Sequence, residues 1–132
     1  MEERNVPRHG ATAGGLCVFK GREAKLNKAV FHILALKRPH TVYTLLGEIR
    51  RQRGLTNTRD GVLRRRVEAL QKQDYLMKVG TAKTRWGYDT PLYHLTPRAE
   101  LAMALSKTDL NRFVKEAHYH QLISMLDVLK SS

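Results

Sequence analysis

The stretch TRDGVLRRRVEALQKQDYL, from Thr58 to Leu76, decides the fold. Leu63, Val67 and Leu70 stand at i, i+4 and i+7, the spacing that lines up one face of an α-helix. A helix is predicted from about Arg59 to Lys72. With Leu63 set at zero and about 100° of rotation per residue, Val67 and Leu70 fall within roughly 40° of it. Arg65, Gly61 and Thr58 fall on the opposite side, and Arg64 lies near the edge. The helix therefore has a core-facing side and a basic outer side. Asp74 stands where such a helix usually ends in glycine, and Asp tolerates the left-handed conformation better than most side chains.

The reading extends outward in both directions. Leu26, Ala29, Val30, Ile33 and Leu34 share one face of a helix predicted from about Arg22 to Lys37, which Pro39 stops. Thr41 is a good N-cap for a second helix, with Val42, Leu45, Leu46 and Ile49 on its apolar side. Gly54 ends that helix, after the basic run Arg50-Arg51-Gln52-Arg53. Beyond the central stretch, residues 75–81 and 92–95 read as two strands around a turn-rich tip at 83–91. Thr96 and Pro97 then open a helix carrying Leu101, Ala102 and Leu105. Thr108 or Asp109 caps a last helix that runs to about Lys130.

The expected fold is mainly α with a small β-hairpin. Residues 1–22 are an N-terminal arm, 23–106 the folded domain and 107–132 a C-terminal helix. The arm's one apolar cluster, Leu16-Cys17-Val18-Phe19, is either a short strand or a segment that docks on a partner.

The 132 residues carry a formal charge of +12, and 42% of them are hydrophobic. That apolar fraction supports a folded core, and that charge attracts a polyanion: nucleic acid, an acidic protein surface or anionic lipid. The charge is uneven. Residues 1–66 hold 15 Lys/Arg against 5 Asp/Glu, whereas residues 67–132 hold 9 against 7. The lone Cys17 excludes an intrachain disulfide, which fits a reducing compartment. The polar start Met1-Glu2-Glu3-Arg4 lacks the pattern of a signal peptide. No apolar run reaches the length of a membrane span. The expected location is the cytoplasm, in association with the nucleoid.

Two stretches resemble the winged-helix transcription regulators of the broad MarR, PadR and ArsR kind. The segment from Thr58 to Leu76 is similar to the family's recognition helix running into its first wing strand. The segment Tyr93-His94-Leu95-Thr96-Pro97-Arg98-Ala99 is similar to its strand-to-helix junction, where Tyr and Leu point inward and Thr caps the next helix. Asp74 and Ala99 stand where the family commonly has glycine, and Arg66 where an apolar residue is more usual.

The resemblance implies a winged helix-turn-helix that binds double-stranded DNA in the major groove. Thr58, Arg59, Gly61, Arg64, Arg65 and Arg66 are the candidate contacts on the recognition helix. Arg65 has the best geometry, since arginine bonds guanine in bidentate fashion, and Gly61 permits close approach. Arg64 has an alternative as the surface ion-pair partner of Glu68. On the wing the candidates are Lys78, Lys83, Arg85 and Trp86, with Trp86 alternatively packing on Tyr88. At the start of the second helix, Arg38, Thr41 and Tyr43 are candidates for the DNA backbone, or else a plain cap and a part-buried tyrosine.

The last helix is apolar over more than one face, which points to a partner. In the family such helices build a dimer, so Phe113, Val114, Ala117, Leu122, Met125, Leu126 and Leu129 are the expected homodimer interface. The alternative is a monomer whose last helix packs over its own core. His118 and His120 lie two apart on the predicted helix and point in different directions, unlike a metal-binding pair. No metal, cofactor or catalytic constellation is expected, and no small-molecule effector is legible. Competing expectations are an architectural or RNA-associated protein, and a protein-interaction module of a transcription or replication complex.

Overall fold

The computed structural model describes residues 16–36 and 38–131. Its elements follow in the order α1 (Ala24–Leu34), α2 (Val42–Arg50), α3 (Asp60–Lys72), β1 (Leu76–Lys83), β2 (Asp89–Leu95), α4 (Pro97–Ser106), α5 (Leu110–Glu116) and α6 (Tyr119–Lys130). The mainly helical fold with one antiparallel hairpin is as the sequence predicts.

The periodic apolar positions converge on one core. Leu26, Val30 and Leu34 of α1 meet Leu45 and Ile49 of α2 and Leu63, Val67 and Leu70 of α3, all of them buried. Leu76, Tyr93 and Leu95 close the core from the hairpin, and Ala99 and Ala102 from α4. Leu101, expected among the apolar positions of α4, is 59% exposed. The small alanines make the close approach on that helix.

The Leu16-Cys17-Val18-Phe19 cluster resolves its own ambiguity. It forms a short 3-10 turn, Cys17–Phe19, packed on α1. Val18 is buried, its carbonyl accepts from Asn27 Nδ2 at 2.8 Å, and Phe19 meets Phe31 edge-on. The folded unit thus reaches back past the boundary expected at residue 23, and the remainder of the expected arm, residues 1–15, lies outside the described residues.

Helix α1 ends at Leu34, earlier than Pro39 requires. The chain must become extended here, because His40 pairs with Tyr93 as a one-residue third strand (His40 N to Tyr93 O 3.1 Å, Tyr93 N to His40 O 2.8 Å). The same bridge explains why β2 begins before Pro91. The N–H of Tyr93 points away from β1, toward His40, so the nitrogen of Pro91, two residues earlier, sits on that outer edge. No ladder bond is lost there. The hairpin is therefore longer than the sequence suggests, paired from Leu76↔Leu95 to Lys83↔Asp89 with a bulge between Lys78 and Gly80.

Asp74 takes the left-handed conformation at φ 68° that ends α3. Its carbonyl accepts the hydroxyl of Thr96, the N-cap of α4, at 2.6 Å. Asp74→Gly is expected to raise stability by about 0.5–1 kcal/mol, because it removes the Cβ penalty at positive φ. Among the described residues, the carboxylate lost with it bonds the exposed Arg98 alone, which contributes little. A lower urea midpoint for the glycine variant would refute this.

The predicted last helix is two helices. Ala117 and His118 are extended (ψ 149° and 154°), and α6 restarts with the His118 N–H bonded to Gln121 Oε1 at 3.0 Å. The apolar stripe of α5 (Leu110, Phe113, Val114, Ala117) and that of α6 (Leu122, Met125, Leu126, Leu129) are separated by a five-residue step. An unbroken helix would put them roughly 140° out of phase. The break also changes the histidines: His118 precedes α6, and its ring stacks on His120 at 5.7 Å and 9° instead of pointing elsewhere.

Candidate nucleic-acid interface

Helix α2, the turn after it and α3 form the helix-turn-helix. Thr41 caps α2 through a capping box: its hydroxyl accepts from Thr44 N at 3.1 Å, and Thr44 Oγ1 accepts from Thr41 N at 3.0 Å. Thr41 is 7% exposed, so this expected backbone contact is a buried structural cap. Its expected companions Arg38 and Tyr43 are exposed, Tyr43 at 82%. His40 Nδ1 lies 3.1 Å from Thr44 Oγ1. Burial holds the His40 pKa below the usual histidine value, and Arg38 and His94 act in the same direction against Glu48.

The turn before α3 is fixed by hydrogen bonds of its own. Thr58 donates its hydroxyl to the Leu55 carbonyl at 2.7 Å, and Arg50 Nε donates to the Thr58 carbonyl at 2.9 Å. Thr58 therefore sets the entry of α3, and its hydroxyl proton is not offered outward.

The three arginines of α3 part company. Arg65 is exposed over Gly61, with no ion pair among the described residues. Arg64 Nε bonds Asp60 Oδ2 at 2.8 Å, one turn back, and not the Glu68 one turn ahead. Both members are about half exposed, so the pair is weak and Arg64 stays available to a phosphate. Arg66 points the other way. Its side chain is 18% exposed, its Nη1 lies 3.6 Å from Glu23 Oε2, and its Nε is buried without a partner among the described residues. Arg66 thus lies at the inner side of the groove it shares with Arg65, its charge met by Glu23. Arg59, at the N-cap position of α3, is exposed with no capping bond of its own.

Tertiary packing adds cations that the linear reading passes over. Arg22 and Glu23, before α1, line the same groove as Arg65 and Arg66, with the apolar side chains of Leu26 and Val62 between them. The groove continues along residues 54–59 over the same two apolar side chains. The Lys25 ammonium lies where a Cβ on Gly54 would stand, and Gly54 is at φ 84°. Arg22, Lys25, Arg59 and Arg65 therefore share one end of the domain, around the start of α3.

On the hairpin, Lys78 is exposed opposite Tyr93, and Lys83 Nζ bonds Asp89 Oδ1 at 2.8 Å. Trp86 does not pack on Tyr88: it is 77% exposed, and the Arg85 guanidinium stands 5.7 Å from its ring centroid. Tyr93 is buried, and burial with the charge of Glu68 pushes its hydroxyl pKa up, against Arg64.

No residue of α5 or α6 is buried. Val114 is 68% exposed, Leu129 64%, Leu126 49% and Met125 40%, while Phe113, Ala117 and Leu122 are part-buried. The last helices thus do not pack over the core of their own chain. Among the described residues no three His, Cys, Asp or Glu gather as a metal site, and no helix is long and apolar enough to cross a membrane.

No family model and no curated protein matches the sequence. Solved structures do. A PadR-like transcriptional regulator from Bacillus cereus is 13% identical, with a TM-score of 0.51 over 85% of this chain and 99% of that one. A protein from Thermoplasma acidophilum is 14% identical, with a TM-score of 0.45 over 74% of this chain and 100% of that one. A cysteine-to-serine mutant of ZitR from Lactococcus lactis is 16% identical, with a TM-score of 0.39 over 85% of this chain and 78% of that one. The helix order, the hairpin and the likeness to the Bacillus cereus regulator together identify the fold as a winged helix.

Proposed function

We propose that this chain binds double-stranded DNA with sequence selectivity, as a homodimeric transcription regulator. The observation that carries the reading is the outer face of α3. Arg65, without an ion pair among the described residues, stands over Gly61 with Arg59, Arg22 and Lys25 around the same helix end. An exposed arginine on the first half of such a helix can bond the two major-groove acceptors of guanine, and the surrounding cations can hold phosphates. The fold is also that of a PadR-like transcriptional regulator.

The exposed stripes of α5 and α6 supply the surface for a second copy. Two recognition helices about 34 Å apart would then select a near-palindrome. The test is repeated selection from a random duplex library, with the solution mass measured alongside. Enrichment of a two-fold symmetric motif by a species of twice the chain mass is the expected outcome. Retention without enrichment points to an architectural, backbone-binding role, and a chain-sized mass removes the dimer. Arg65→Ala is expected to lose about 1–3 kcal/mol on the selected site and to relax its sequence preference. An equal loss on every duplex would make Arg65 a phosphate contact.

A further inference from the structure

The hairpin tip displays Trp86 at 77% exposure and Tyr88 at 72%. The segment that carries them is held firmly. Thr84 Oγ1 accepts from the backbone N–H of Trp86 at 3.2 Å and of Tyr88 at 3.0 Å. Thr84 N donates to Tyr88 O at 2.7 Å, and Gly87 N to Thr84 O at 2.9 Å. The exposed Lys83–Asp89 ion pair spans the base of the loop, where the two strands are in register. These hydrogen bonds fix the backbone of the tip before any partner arrives, so little backbone freedom is lost on contact.

A large aromatic surface left in water on a rigid projection has free energy to gain by stacking. Its neighbour fixes the kind of partner. Arg85 lies over the indole, so cation and ring form one unit, while Lys83 shares an exposed ion pair with Asp89. Arg85 has no ion pair among the described residues, in a chain of net charge +12. A cation joined to a flat aromatic suits a phosphate next to a base.

We infer that Trp86 is a stacking wedge that enters a base step of duplex DNA beside the groove read by α3, with Arg85 anchored on the adjoining phosphate. This rests on the duplex-binding reading above. Unstacking is easiest at pyrimidine–purine steps, so the wedge adds a preference for a TA or CA/TG step at a position α3 does not touch.

Trp86 is the single tryptophan, so its emission reports on the wedge directly. The full chain is titrated at low salt with a dye-labelled mixed-sequence duplex. Dye anisotropy measures binding, and indole emission with acrylamide measures stacking. As the duplex binds, the emission and its access to acrylamide should both fall. Trp86→Ala should bind roughly tenfold more weakly, while Trp86→Phe keeps most of the affinity. The exposed position leaves the fold intact in both, which far-ultraviolet circular dichroism checks. Rising anisotropy with unchanged emission and acrylamide access overturns the wedge and leaves duplex binding standing, as does full affinity in Trp86→Ala. No anisotropy change at all overturns duplex binding and the wedge together.

Discussion

Raising the salt from about 50 to about 200 mM is expected to weaken duplex binding by roughly a thousandfold or more. Each phosphate neutralised by Lys or Arg releases condensed counterions, and that release becomes less favourable as salt rises. The loss applies to a complex making roughly six to ten phosphate contacts. Each copy offers Arg22, Lys25, Arg59, Arg38, Lys78 and Arg85 toward such contacts, all exposed or lining the groove at the start of α3. Log affinity against log salt should be a straight line, and the double variant Arg22→Ala, Lys25→Ala, which removes two contacts from each copy of the dimer, should reduce its slope by about four. A salt-independent affinity would sink the reading of this face as a phosphate cradle. The Arg65 variant makes the contrast, since a residue that reads bases changes preference among sequences more than it changes the slope.

Phe31→Ala is expected to lose about 3–5 kcal/mol of folding stability. Phe31 is 1% exposed and sits between Phe19, edge-on at 5.2 Å, and Tyr75, tilted at 5.6 Å. It therefore joins the 3-10 turn, α1 and the entry to β1. Truncation loses the transfer free energy of the ring and leaves a cavity among side chains anchored on three elements. Small domains hold only about 5–15 kcal/mol in total, so the variant should unfold at a much lower urea concentration. An unchanged midpoint would mean that this aromatic cluster does not anchor the domain. Phe31→Leu, which keeps most of the volume, should fall between the two.

The sites divide by the range of the forces that place them. Arg65 and Gly61 share the outer side of α3 because a helix turns about 100° per residue, so their facing is readable from Leu63, Val67 and Leu70. The same rotation puts Arg66 about 60° from Leu63, beside the core face, and only its partner Glu23, 43 positions earlier in the chain, is beyond a linear reading. Arg22 and Lys25 escape a linear reading for the same reason: nothing local says that the start of α1 crosses the turn at Gly54. Thr41 and Thr58 carry the right chemistry for a phosphate contact, but nearby backbone groups claim their hydroxyls. Trp86 has two readings in the sequence, and the cross-tip bonds of Thr84 and the position of Arg85 choose the exposed one.

By itself the sequence determined the element order, the buried faces of α1, α2 and α3, the caps at Thr41 and Thr96, and the left-handed turn at Asp74. These depend on helical period, on side chains bonding their own backbone neighbours and on local sterics, all of which act within a few residues. Tertiary structure alone decided the early end of α1, the length of β2, the docking of Val18 and the partner of Arg66. In each case the deciding partner is remote in sequence: Tyr93 for His40, Asn27 for Val18 and Glu23 for Arg66. The break between α5 and α6 lies between these cases. The five-residue step from Ala117 to Leu122 is present in the sequence, and the extended backbone at Ala117 and His118 shows what the chain does with it.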